Sequence, residues 1–251
     1  MLDAFQEYFR QLADDYPTWN FIFFYQKNQW DKVVSGLWMT IKLSVICVLL
    51  SVLIGVIGAW LQGAKSKLVR LSVSGYIQFF RNTPPFVQHL FFYFALGRYT
   101  PTYSPDGWLE IPIISNVGWA IISLSFFAGA FNVEIFRAGI EAVPESTQEA
   151  ADSLGLTRLQ RYQHIVLPLA FRVSLPALNN NLVNLVKTTT QAFAIAVPEF
   201  LYQAITIYND YPSAQNPMML ALFVVYIGLV GILVMGMNRW ERSMRVPGYG
   251  S

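Results

Sequence analysis

The chain has 251 residues, 54% of them hydrophobic and 13% charged, with a formal net charge of +2. Soluble domains average about 25% charged residues, so the composition excludes an ordinary water-soluble globule and indicates a protein that crosses a membrane several times. The small net charge and the absence of a basic patch interleaved with aromatics exclude a nucleic-acid binder, and one cysteine, Cys47, excludes a disulfide framework or thiolate metal site.

Residues 1–33 read as an extracytoplasmic or interfacial extension. Asp3, Glu7, Asp14 and Asp15 interrupt the first 18 residues, which lack the basic start and apolar core of a cleavable signal. Insertion therefore falls to the first spanning helix. Trp19–Tyr25 is too short to cross a hydrocarbon core of about 30 Å and is expected to form an interfacial patch. Residues 34–240 form the transmembrane domain, with spans predicted at Val34–Leu61, Leu71–Leu96, Ile113–Phe136, Phe171–Pro198 and Met218–Met237. Cys47, inside the first span, reads as a small buried hydrophobe. Residues 241–251 form a tail.

The second span carries Arg81-Asn82-Thr83-Pro84-Pro85. A proline pair removes two backbone donors and forces a break or kink. Carbonyls freed that way survive in lipid only where protein or a water-filled path satisfies them. In the third span Glu134 is placed either to pair with Arg137 or to meet a ligand ammonium.

Between the third and fourth spans, residues 141–168 form a long polar insertion with its own helical design. Ser146 and Glu149 fit a capping box and predict a short helix from about Thr147 to Leu154. Gly155 supplies a left-handed turn to end it. Thr157 caps a second helix, with Leu159, Ile165 and Val166 expected to face the membrane domain and Pro168 to mark the exit. Two short helices joined at a glycine make a stiff bracket suited to carrying force from a soluble partner.

The fourth span holds Pro176, Asn179, Asn180, Asn181, Asn184, Lys187, Thr188, Thr189, Thr190 and Gln191. Asn and Thr serve as hydrogen-bonding glue between packed helices, whereas an ammonium near mid-membrane costs about 2.5–3.5 kcal/mol and points to a hydrated path. Both readings stand at this level. Asn180, Asn184, Lys187 and Thr188 follow i, i+3, i+4 spacing and share a face, with Asn181 beside them.

Orientation follows from Lys65, Lys67, Arg70, Arg137, Arg158, Arg161, Arg172, Arg239, Arg242 and Arg245, which occupy alternate connections. The intervening loops, Tyr99–Gly118 and Leu201–Pro217, contain no Lys or Arg, so the count is ten against none. The basic set is expected in the cytoplasm, with the N-terminus outside and the C-terminus inside. Arg10, Lys27 and Lys32 in the extension run mildly against this. The chain has no GxxxxGK[ST], HExxH or CxxC. His89 and His164 read as ordinary polar residues, so no catalytic and no metal-binding residue is expected.

Glu149-Ala150-Ala151, three residues, Gly155, nine residues, then Ile165-Val166-Leu167-Pro168 resembles the EAA loop of bacterial ABC-importer permeases at every fixed position. Phe80-Arg81-Asn82-Thr83-Pro84 with Gln88, Glu134–Ile140 with Val143-Pro144, Asn184–Thr189, and Val197-Pro198-Glu199 resemble the branch that imports polar amino acids and opines. The similarity runs from about Gly36 to Arg245; Pro85 and the N-terminal extension depart from it. The resemblance implies an all-α polytopic membrane protein of the type I importer architecture, with five transmembrane helices and a cytoplasmic coupling helix. It implies a bacterial inner-membrane complex with a second permease subunit, two ATPase subunits and a periplasmic substrate-binding protein. ATP and Mg²⁺ would be bound by the ATPases, with no cofactor in this chain. Glu149, Ala150, Ala151, Gly155, Ile165, Leu167 and Pro168 would couple to the ATPase.

A free amino acid brings an ammonium and a carboxylate, so Arg81, Asn82, Thr83 and Gln88 at the break, and Asn180, Asn181, Asn184, Lys187 and Thr188 on the fourth span, are the candidate substrate residues. Relatives that carry cationic amino acids tend to have Glu at the position of Asn181. Its absence favours an acidic, neutral polar or broad substrate range, with opines or basic amino acids as the alternative. The long extension and the Tyr99–Gly118 loop favour a heterodimer of permeases over a homodimer. An ion-driven secondary transporter would be expected to show internal repeats, and none is apparent. A purely structural membrane subunit would use the fourth-span polar residues only as glue.

Overall fold

The computed structural model describes residues 2–244; Arg245 and the rest of the expected tail lie outside the described residues. The order is α1 (Leu2–Asp15), α2 (Ile22–Tyr25), α3 (Lys27–Gln62), α4 (Lys67–Asn82), α5 (Pro85–Leu90), α6 (Asn116–Glu141), α7 (Glu145–Ser153), α8 (Arg158–Arg161), α9 (Leu167–Thr188), α10 (Phe200–Asp210) and α11 (Gln215–Met244). A short antiparallel hairpin, β1 (Thr102–Tyr103) with β2 (Ile111–Pro112), sits in the loop before α6.

Among the described residues, three helices are long and apolar enough to cross a membrane: α3, α6 and the stretch Pro212–Met244 that contains α11. The other two expected spans are interrupted. Residues Leu71–Leu96 divide into α4, α5 and a π-helical run at Phe91–Leu96. The break falls at Thr83-Pro84, where Thr83 is extended (φ −117°, ψ 145°) as a residue before proline must be. Pro85 opens α5, where its missing N–H costs nothing. The fourth span is helical as α9 to Thr188, tolerates Pro176 inside it, and tightens to a 3₁₀ run at Thr189–Ile195.

The chain divides into two compact units. One comprises the residues up to Ile46, His89–Ile122 and Val186–Gly231. Its core joins Ile22, Phe23, Phe200, Ile207, Met218 and Leu222. Trp19–Tyr25 is therefore more than a surface patch, because Ile22 and Phe23 are buried in that core. Helix α1 rests on the same segment through Phe5 and Phe9, whose rings lie 5.4 and 4.8 Å from Phe24. The carboxylate of Glu199 caps α10, accepting from the Leu201 and Tyr202 amides at 2.9 and 2.8 Å and from the Tyr226 hydroxyl at 2.9 Å. Thr40 Oγ1 accepts from the Phe200 amide at 3.0 Å, which ties α3 to the start of α10.

The other unit comprises Cys47–Gln88, Ser123–Leu185 and the described residues from Ile232. Phe136, Leu178 and Leu182 form one apolar cluster, and Val143, Val166 and Ala170 another beneath the 141–168 insertion. Small residues allow close helix approach here. A Cβ at Gly139 would overlap Ser174 Oγ, and one at Gly55 would overlap the Asn132 side chain.

Candidate functional site

The break after α4 is sutured by its own side chains. Gln88 Nε2 donates to the carbonyls of Phe80 and Thr83, both at 2.9 Å, with Thr83 Oγ1 2.5 Å away. Thr83 Oγ1 donates to the Phe79 carbonyl at 2.7 Å. These contacts satisfy carbonyls that the prolines leave without helical partners. Gln88 is buried and Thr83 half-buried; the Gln88 amide nitrogen is engaged within the fold, whereas its Oε1 is buried with no hydrogen-bond partner among the described residues. Arg81 and Asn82 are exposed. Asn82 Nδ2 donates to Gln78 Oε1 at 2.9 Å.

Arg81 is held by a carboxylate two elements away. Glu134 Oε2, on α6, lies 3.3 Å from Arg81 Nη1 and 3.3 Å from Arg137 Nη2. Gln62 Nε2, at the end of α3, donates to Glu134 Oε1 at 3.4 Å, and Arg137 Nη1 reaches Glu141 Oε1 at 2.9 Å. Glu134 thus pairs with Arg137 and with Arg81 together, and one carboxylate joins α3, α4 and α6.

On α9, Asn180 and Asn184 are exposed while Asn181 is buried. Asn181 Nδ2 donates to Asn132 Oδ1 at 2.7 Å and to the Ala128 carbonyl at 3.0 Å; Asn132 Nδ2 in turn donates to Ser51 Oγ at 3.2 Å. This chain of amides is interhelical glue across α3, α6 and α9. Lys187, exposed, and Thr188, buried, belong to the other compact unit, so only the break residues and Asn180, Asn181 and Asn184 share a unit. Sequence reading passed over Asn132, Ser51 and Gln62. An asparagine inside an apolar span was the available signal, since such a group must find a partner.

The 141–168 insertion is built around Gly155. Helix α7 starts one residue after Pro144, and no side chain caps it. The expected Ser146–Glu149 capping box does not form, because helix geometry already begins at Glu145. Gly155 sits at φ +78°, the left-handed conformation that a residue without Cβ adopts freely. The Gly155 amide bonds to the Asp152 carbonyl at 2.9 Å and the Leu156 amide to that of Ala151 at 3.3 Å, closing the end of α7. Beyond the turn Thr157 and Gln160 make a full capping box on α8. Arg161 pairs with Asp152 and ties the two short helices together. Ala151 and Val166 are buried and Ile165 is half-buried, whereas Glu149, Ala150, Leu167 and Pro168 are exposed. Leu154 and Leu159 stand 82% and 65% exposed, so Leu159 does not face inward as its apolarity suggested.

The model of the family described as binding-protein-dependent transport system inner membrane component matches residues 51–246. The probable amino-acid permease protein YxeN of Bacillus subtilis (strain 168) is 30% identical over 215 residues, covering 86% of this chain and 92% of that protein. The glutamate/aspartate import permease protein GltJ of Escherichia coli (strain K12) is 27% identical over 217 residues, covering 85% and 87%. Among solved structures, that of an amino acid ABC transporter with histidines superposes with a TM-score of 0.73 at 28% identity, covering 85% of this chain and 94% of that one.

Proposed function

The chain belongs to the family of binding-protein-dependent transport system inner membrane components, and from that premise we propose that it carries polar amino acids across the bacterial inner membrane by alternating access. Its fuel is ATP, bound with Mg²⁺ and hydrolysed by two partner ATPase subunits. A periplasmic binding protein delivers the substrate, and a second, distinct permease completes the pathway. The 141–168 insertion faces the cytoplasm and meets the ATPase. The N-terminus lies outside, residues 34–240 form the membrane domain, and α4–α5 and α9 complete a set of five spans.

The observation that carries this reading is the bracket formed by α7, Gly155 and α8. Its two helices are locked by the Asp152–Arg161 pair and by the capping box at Thr157. Its outer side presents Glu149, Ala150, Leu154 and Leu159 with no covering element among the described residues. Apolar side chains left bare on a stiff projection suit a protein partner. Movement imposed there passes through Val143, Val166 and Ala170 to the ends of α6 and α9.

Acidic, neutral polar or broad specificity is the substrate reading. Asn181 is a neutral amide whose N–H groups are already given to Asn132 and Ala128, so the side chain at this position carries no negative charge to offset a cationic one. Arg81 is a cation at a helix break that a substrate carboxylate can reach by competing with Glu134. Proteoliposomes containing the permease with its ATPase and binding protein provide the test. Gly155→Val should abolish substrate-stimulated ATP hydrolysis, and unchanged stimulation would overturn the coupling assignment. Uptake confined to Arg and Lys, with Glu and Gln ignored, would overturn the substrate assignment.

A further inference from the structure

The end of α3, the last turns of α6 and the start of the π-helical run Tyr162–Val166 enclose an open cleft of about 660 Å³. A second hollow of about 300 Å³ adjoins it, with Ala59, Trp60, Ile140 and Tyr162 common to both. Their chemistry differs sharply. The larger hollow is lined by Gln62, Lys65, Arg137 and Glu141 as well as apolar groups. The smaller is walled by Val52, Val56, Phe136, Leu167 and Phe171, with Ser174 its only side-chain polar group apart from the rim tyrosine and tryptophan. Both lie within one compact unit.

We propose that these joined hollows hold one anionic phospholipid of the cytoplasmic leaflet, an acyl chain in the apolar hollow and the phosphate in the polar cleft. The leaflet follows from the orientation proposed above. Lys65 has no acidic partner among the described residues. Arg70 brings a second cation to the same turn, donating from Nη1 to the carbonyls of Ala64 and Lys65 at 2.8 and 3.1 Å. Arg137 is offset by Glu134 and Glu141, so Lys65 and Arg70 supply the surplus positive charge. Basic pockets between helices at the cytoplasmic side are where anionic headgroups are held.

The rim is built for the boundary between headgroup and hydrocarbon. Trp60 is 73% exposed and Tyr162 39%, amphipathic rings of the kind that settle at that depth. Leu53, Val56 and Ile57 continue from the hollow along the exposed side of α3, an apolar track for the rest of the chain. A soluble phosphate would leave the apolar hollow unfilled. A protein side chain filling that hollow would leave Lys65 uncompensated.

Native mass spectrometry of the full-length permease with its ATPase partner tests the proposal, using equimolar phosphatidylglycerol and phosphatidylethanolamine in detergent. One phosphatidylglycerol should be retained preferentially. Lys65→Glu should lower that preference by about fivefold or more, the effect of a surface cation on anionic lipid. Val56→Trp, at an exposed position that tolerates bulk, should reduce retention of both lipids by filling the apolar hollow. Equal retention of the two lipids by the unmodified protein would overturn the proposal, as would indifference to both substitutions. Displacement by soluble glycerol phosphate would show a headgroup-only anion site and overturn it too. The measurement needs no ATP turnover, so its failure leaves the importer reading intact, and failure of the Gly155→Val test leaves this one intact.

Discussion

Glu134 and Asn181 are polar groups that hold helices together, and their strengths differ for a physical reason. The Glu134 carboxylate meets two guanidiniums, but its side chain is 26% exposed and those of Arg81 and Arg137 are 40% and 44% exposed. Water screens such pairs, so Glu134→Gln should cost about 0.5–1 kcal/mol, read as a small fall in the thermal midpoint of the detergent-solubilised protein. The same substitution releases Arg81 and should strengthen competition by acidic amino acids in an uptake assay; no change there would separate Arg81 from the substrate. The amides of Asn181 and Asn132 are buried and directly bonded at 2.7 Å. Asn181→Ala should cost about 0.6–1.7 kcal/mol, the range for hydrogen bonds between membrane helices. A double-mutant cycle with Asn132→Ala should return a coupling energy of that size, and additivity would mean that the contact carries no energy.

At the scale of elements, α7, Gly155 and α8 act as one mechanical part, and its two weak points respond differently. Thr157→Ala removes the α8 cap, worth about 1 kcal/mol, and should reduce stimulated ATP hydrolysis only in part. Gly155→Val forces a β-branched residue to φ +78°, at a cost of about 1–2 kcal/mol before any rearrangement. It should abolish substrate-stimulated ATP hydrolysis while the total helix content by circular dichroism is unchanged. The sutured break after α4 is the second such part. Gln88→Leu leaves the Phe80 and Thr83 carbonyls without their donor, which costs about 1–3 kcal/mol where they are buried. The readout is the thermal midpoint, and an unchanged midpoint would mean that water replaces the amide.

For the whole molecule, the loop cations and the cation-free loops segregate by unit. Every described cation of the set used for orientation lies in the unit that contains the bracket, and Tyr99–Gly118 and Leu201–Pro217 both lie in the other. Sidedness can be read by cysteine labelling in a Cys47→Ser background, since Cys47 is fully buried and is the sole native thiol. Trp108→Cys, at a position 96% exposed, should react with an impermeant maleimide from outside intact cells, and Leu154→Cys only after permeabilisation. The opposite pattern would invert the proposed topology.

Much of this protein follows from local chemistry. A run of apolar residues long enough to span a bilayer, a proline pair that cannot continue a helix, and a glycine four residues past an Ala-Ala pair each dictate a conformation without help from distant segments. Hence α3, α6, α11, the break at Thr83-Pro84 and the turn at Gly155 are legible in the sequence. Partners are another matter, because a polar side chain in a span must bond to something and only packing decides to what. Arg81 meeting Glu134, Gln88 turning back on its own break, Asn181 meeting Asn132, and Leu159 facing outward rather than in depend on rotation and approach of helices distant in sequence. Those contacts were decided by the tertiary structure alone, because packing chooses the partner of each polar group.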